Sequence, residues 1–150
     1  MLAHSFDTVL GILTAVESDG HIVMLRFGGL PDIDTGETPL LLETERQIRE
    51  YITGERRQFD LPVDIQCDGF RREVMEAMAG IPYGKTMSYG RIAKSCGHPG
   101  AARAVGTVCR KNPLVIIYPC HRVVPSSGGT GDYSGPPGMK EKLLAIERSK

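Results

Sequence analysis

Cys120 has the company that most suggests chemistry in this 150-residue chain: it follows Pro119, precedes His121 and Arg122, and lies between an apolar run and a glycine-rich stretch. A cysteine attacks as its thiolate, and an isolated thiol, with a pKa of about 8.5, is acidified by nearby cations or a helix N-terminus. Histidine, with a reference pKa of about 6.5, is a base near neutral pH. Adjacent residues rarely aim their side chains at each other, so His121 is expected to reach the thiol through a bridging water. A base also needs an orienting partner, and Glu147, an acid in the last helical stretch, is the best placed. Cys67, Cys96 and Cys109 lack such neighbours and read as small buried fillers. The four cysteines are 29, 13 and 11 residues apart. That spacing contains no C-x-x-C and no zinc-ligand pattern, so neither a metal nor a cofactor is expected. By itself the pair fits group transfer or a Cys-His hydrolase, although a hydrolase needs oxyanion donors that the sequence does not display.

These residues must be positioned by the elements around them. In the first half, Thr8–Glu17 and His21–Phe27 read as a hairpin across the turn Ser18-Asp19-Gly20. A loop rich in Pro, Asp and Gly follows, then a helix over Leu41–Thr53 stopped by Gly54. The alternation of Phe59, Leu61, Val63 and Ile65 fits a strand or an extended linker, and the domain boundary is placed between Gln66 and Cys67. The second half reads as mostly helical. Asp68 is expected to cap a helix over Gly69–Ala79, and Ser88 a short one ending at Ser95. A third helix spans Ala101–Lys111, and Leu114–Tyr118 is a buried run leading into Pro119. After the loop Ser126–Gly138, the last helix covers Met139–Ser149. The expected class is therefore α+β: a small N-terminal α/β domain (1–66) and a mostly helical C-terminal domain (67–150). The second and third of these helices form a helix-turn-helix candidate. Ala101 and Ala102 precede the long cation Arg103 on a smooth helix start, which suits close approach to a groove or, equally, tight helix packing.

The charge balance separates the two halves further. The whole chain has 18 basic and 18 acidic side chains. Residues 1–66 hold five arginines and twelve acids, a balance of −7, and residues 67–150 carry the opposing +7. A basic half of that size attracts phosphates, with the acidic half facing away. With 41% hydrophobic residues the composition suits a globular core and excludes disorder or a disulfide scaffold. No apolar run is long enough to span a membrane and no leader is apparent, so a cytoplasmic protein with reduced thiols is expected, nucleoid-associated if prokaryotic.

Several separated motifs, in order from Ile81 to Glu147, resemble the O6-alkylguanine-DNA alkyltransferases. They are Ser88-Tyr89, Ala101-Ala102-Arg103-Ala104-Val105-Gly106, Asn112-Pro113, Pro119-Cys120-His121-Arg122-Val123-Val124, Gly131-Asp132-Tyr133-Ser134-Gly135, and the tail Lys140-x-x-Leu143-Leu144-x-x-Glu147. The first half is similar to the family's ribonuclease-H-like domain in size and element order. The resemblance implies that Cys120 accepts an alkyl group from O6-alkylguanine, or O4-alkylthymine, in double-stranded DNA, once per molecule and as a monomer. His121 and Glu147 would activate the thiol and Asn112 would brace the network. Arg103 would fill the gap left by a flipped nucleotide, with Ala101, Ala102, Ser88 and Arg122 also on the DNA. Tyr89 would assist flipping and stabilise the departing guanine anion. Tyr133, Ser134 and Val123 would line the base pocket, which Gly131 and Gly135 would leave open for bulky alkyl groups. The sequence departs from the family pattern at Val115, where a second proline is usual, and at Tyr118, where a small aliphatic residue is usual. The N-terminal zinc ligands of some relatives are absent. A non-catalytic branch of the family, which binds lesions without transferring, lacks the cysteine that this chain keeps.

Overall fold

In a computed structural model, residues 1–148 are described. They form an α+β arrangement in which three antiparallel strands, β1 (Leu2–Thr8), β2 (Gly11–Ser18) and β3 (His21–Phe27), precede a helical second half. The β2–β3 turn follows from its residues: Asp19 and Gly20 have φ of 50° and 75°, the double left-handed geometry of a type I′ hairpin turn that Asp-Gly favours. The expected strand Thr8–Glu17 corresponds to β2, which starts at Gly11, and β1 precedes it without having been expected. Thr8 ends β1, and its hydroxyl donates to the Gly11 carbonyl and accepts from the Leu10 amide, closing the β1–β2 turn. Polar residues at His4, Ser5 and Asp7 hide the strand pattern in β1, where only Ala3 and Phe6 are buried.

α1 (Pro39–Ile52) is capped by Thr38, whose side chain accepts from the Leu41 amide, and it lays Leu41, Ile48 and Tyr51 on the sheet. Residues 53–68 then run as an extended linker with a single parallel bridge, Ile22 to Val63. α2 (Gly69–Ala79) begins after Asp68, but the Asp68 carboxylate makes no cap hydrogen bond. Ser88 does cap α3 (Tyr89–Ser95), accepting from the Arg91 amide. α4 (Ala102–Arg110) packs on α3 and α2. α5 (Met139–Arg148) closes the described chain; Ser149, expected in that helix, lies outside the described residues. A short parallel ladder pairs β4 (Met87–Ser88) with β5 (Val123–Val124).

The two halves share one core. A continuous buried cluster runs from Phe6, Leu25 and Tyr51 through Met75, Ile92 and Val105 to Cys120 and Leu143. The apolar run after Asn112 joins them directly: the Leu25 amide of β3 donates to the Pro113 carbonyl (2.9 Å) and the Val115 amide donates back to Leu25 (3.1 Å). A second proline at position 115 could not make that bond, so the departure at Val115 adds a strand-like link between the halves.

Candidate active site

The chain reaches Cys120 through two consecutive tight turns. Ile116 has φ of 71°, and the Ile117 amide donates to the Val115 carbonyl at 2.7 Å, the strained γ-turn form for a β-branched residue. Pro119, at φ −81° and ψ 64°, centres an inverse γ-turn in which the Cys120 amide donates to Tyr118 at 2.8 Å. A single 3₁₀ turn, Cys120–Arg122, follows. These turns set Cys120, His121 and Arg122 inside the protein; their exposures are 0%, 0% and 6%.

Asn112, at the end of α4, grips both ends of this turn. Its side-chain amide donates to the Tyr118 carbonyl at 2.9 Å and to Cys120 Sγ at 3.1 Å, while its oxygen accepts from the Leu114 amide. Burial pushes the Cys120 thiol up; the Asn112 amide and the Lys140 charge act against it. The resting group is therefore the thiol.

The candidate base is His121. Its Nε2 lies 2.6 Å from Glu147 Oε2, and its Nδ1 is buried with no hydrogen-bond partner among the described residues. Burial lowers the imidazole's pKa and outweighs the carboxylate that would raise it. The charges of Arg122 and Lys140 add to the lowering, and Arg122 already neutralises Glu147 through Nε at 2.9 Å and Nη2 at 3.0 Å. A second cation there would be an unpaired buried charge. Nε2–H then donates to Glu147, leaving the lone pair on Nδ1. Glu147 is nearly inaccessible, yet donors from His121, Arg122 and Tyr51 hold its carboxyl well below the usual range against that burial.

A second buried cluster centres on Tyr89. Its hydroxyl accepts from the Asp132 amide (2.7 Å) and from Lys140 Nζ (3.2 Å), and donates over 3.2 Å to the Asp132 carbonyl. Lys140 Nζ also donates to the Val123 and Asp132 carbonyls, at 2.6 and 2.9 Å. Burial drives the Tyr89 phenol upward and the Lys140 ammonium downward. The hydroxyls of Tyr133 and Ser134 are buried, and the Ser134 hydroxyl acts with the Asn112 amide against the upward shift of the Cys120 thiol.

The structure thus brings together Cys120, His121, Asn112 and Glu147, with Tyr89, Val123, Tyr133 and Ser134 grouped around the loop that covers them. Ser88, Ala101, Ala102 and Arg103 lie apart on the α3–α4 face, where Arg103 is exposed. Arg122 requires a correction. Expected on DNA, its guanidinium is committed to Glu147 and the Ile81 carbonyl (2.7 Å), because the 3₁₀ turn directs it inward. The two glycines also differ from expectation. A Cβ at Gly131 would fall 2.5 Å from the Tyr89 hydroxyl, and one at Gly135 would fall 2.6 Å from the Tyr133 ring. The side-chain space there is already filled by those rings rather than left open. Two participants escaped sequence reasoning. Tyr51 donates to Glu147 Oε2 at 2.6 Å from α1, and no motif marks it. Lys140 stood within a recognised motif without an assigned role.

A model described as 6-O-methylguanine DNA methyltransferase, DNA binding domain, matches residues 69–149, and its ribonuclease-like domain partner matches residues 1–65. The chain belongs to the 6-O-methylguanine DNA methyltransferase family. It is 47% identical to a methylated-DNA–protein-cysteine methyltransferase of Mycolicibacterium paratuberculosis, over 68% of this chain and 62% of that one. The constitutive family member of Bacillus subtilis is 42% identical over 95% of this chain and 92% of its own. Among solved structures, Mycobacterium tuberculosis OGT in complex with DNA superposes with a TM-score of 0.91 at 35% identity, covering 99% of this chain and 94% of that one. The matched region spans 62% of the Mycolicibacterium paratuberculosis protein and 63% of that of Mycobacterium bovis, under two thirds of their own length. No described helix is long and apolar enough to cross a membrane.

Proposed function

We propose that the protein repairs DNA by moving the alkyl group of O6-alkylguanine, and of O4-alkylthymine, onto Cys120 Sγ in one irreversible turnover. The observation that carries this reading is the buried line from Asn112 and Cys120 to His121 and Glu147, with Cys120 Sγ held at 3.1 Å by the Asn112 amide. In the reaction the thiol proton passes through a water to Nδ1 of His121, and Glu147 with Arg122 stabilises the imidazolium that forms. The thiolate attacks the alkyl carbon in line; the S–C bond forms as the C–O bond breaks. The departing guanine anion is stabilised by a hydrogen bond from the Tyr89 hydroxyl, whose bond to the Asp132 carbonyl is long at 3.2 Å and easily exchanged, and the proton lost by the thiol returns from His121 to the guanine through water. The product is a thioether, which has no hydrolytic exit.

DNA engagement belongs to the basic second half. α3 and α4 act as a helix-turn-helix in the minor groove, and Arg103 replaces the flipped nucleotide in the stack. Residues 1–66 form the ribonuclease-H-like domain and 67–150 the DNA-binding and transfer domain. The deciding experiment is mass spectrometry after incubation with a duplex containing O6-methylguanine. One methyl mass on the Cys120 peptide is expected, and none in a Cys120→Ala protein. An unmodified Cys120 despite tight lesion-selective binding would assign the protein to recognition without transfer.

A further inference from the structure

Glu147 accepts more donors than a carboxylate needs for aiming one imidazole. Oε1 takes the Arg122 Nε (2.9 Å) and the Gly84 amide (3.0 Å). Oε2 takes His121 Nε2 and the Tyr51 hydroxyl, both at 2.6 Å, together with Arg122 Nη2 at 3.0 Å. Tyr51 is the only one of these donors from the N-terminal half. It is wholly buried, and its hydroxyl also lies 3.3 Å from His121 Nε2. Its ring is fixed by three aromatic neighbours, Phe59 at 5.7 Å, Tyr83 at 6.1 Å and the His121 ring at 6.4 Å between centroids. Burial and the Glu147 charge keep its phenol protonated, so it can only donate to the carboxylate.

We propose that Tyr51 is a positioning residue for the alkyl transfer: its hydroxyl, carried by α1, shares Glu147 Oε2 with His121 and so sets the aim and the proton affinity of the imidazole. The inference rests on the alkyl-transfer reading given above. Two donors on one oxygen compete for the same charge. Whatever density Tyr51 draws is withdrawn from His121, which keeps the imidazole neutral and ready to accept the thiol proton. The geometry also makes the N-terminal half part of the reaction, since Tyr51 reaches the site from a helix 96 residues away in sequence from Glu147. The other ionisable groups facing this pair are Arg122 and Cys120 on the 3₁₀ turn, Lys140 on α5, Tyr133 in the covering loop, and Tyr83, over which Arg57 is stacked.

The test is the pH dependence of the methyl-transfer rate constant on an O6-methylguanine duplex, comparing wild type with Tyr51→Phe. The variant retains the packed ring and loses only the donor. Without Tyr51's hydroxyl, Oε2 stabilises the imidazolium more strongly. The acid limb is expected to move up by about half to one pH unit, the worth of one hydrogen bond. The rate deficit should therefore grow as pH falls, while lesion binding, measured in a Cys120→Ser background, stays as in wild type. Tyr51→3-fluorotyrosine, a stronger donor of the same size, should move the limb the opposite way. In a Glu147→Gln background Tyr51→Phe should have no further effect. A superimposable profile, a uniform loss at every pH, or additive losses with Glu147→Gln would overturn the proposal. Failure of the wild type to transfer would instead overturn the alkyl-transfer reading itself.

Discussion

Arg122 has the charge of a DNA contact and the surroundings of a core residue, and the second decides its role. Its side chain is 7% exposed and that of Glu147 1%. Removing one member of such a pair leaves a buried charge uncompensated and costs about 3–5 kcal/mol. Arg122→Met is accordingly expected to lower stability by about 3 kcal/mol in urea unfolding while changing duplex affinity little; normal stability with weakened binding would return the guanidinium to the DNA. The same cluster fixes the acid response. Both His121 and Glu147 have folded pKa values below their ordinary 6.5 and 4.5. For each, the unfolded chain takes up a proton at a pH where the folded protein refuses it, so stability falls with acidification. The decline should begin near pH 6.5 through His121 and steepen below about pH 4.5 through Glu147. Thermal melts across this range check it, and a Glu147→Gln protein should show a shallower lower phase, to which Glu43, Glu45 and Glu141 also contribute. Cys120 and His121 were legible in the sequence because they are adjacent in the chain. Tyr51 was not, because a tyrosine on the buried face of a helix looks like any other core residue until the fold shows where its hydroxyl ends.

At the scale of elements, local signals served where they concern a few neighbouring residues. Ser88 caps α3 as its type predicts, and Asp19-Gly20 turns the hairpin. They failed where a partner elsewhere decides: the polar β1 becomes a strand only because β2 pairs with it throughout, and Asp68 sits at the start of α2 without capping it. The γ-turns at Ile116 and Pro119 have no signature that a sequence reading could rely on. The α3–α4 pair presents Arg91, Lys94, Arg103 and Arg110 as exposed cations. If Arg103 fills the stack, Arg103→Ala should slow repair of duplex DNA about tenfold or more and leave reaction with a free O6-alkylguanine base nearly unchanged, which paired single-turnover assays would read. Such a loss corresponds to about 1.4 kcal/mol, within the few kcal/mol that flipping costs. Equal losses on both substrates would remove the assignment.

Over the whole molecule, the neutral total conceals an acidic half and a basic half, and the structure refines that division. Of the basic residues after position 80, Arg122 and Lys140 point inward, so the cationic surface is smaller than the count suggests. The halves also share their core rather than touching at a wet interface, through the Leu25–Pro113–Val115 bonds and the continuous apolar cluster. Unfolding should therefore be a single cooperative step despite the two family modules. Far-UV circular dichroism and tyrosine fluorescence are expected to give coincident urea transitions; separated midpoints would show that the halves unfold independently.

The sequence by itself singled out Cys120, His121, Glu147 and Asn112 as candidates, together with most of the helices and the charge division. Each of these depends on residue type and on spacing along the chain, which is also what makes the family resemblance readable. Only the tertiary structure decided that Arg122 faces inward, that Lys140 anchors Tyr89, that Gly131 and Gly135 receive aromatic rings, and that Tyr51 completes the Glu147 carboxylate. Those outcomes depend on which distant surfaces meet in a low-dielectric interior, where every buried polar group must find a partner.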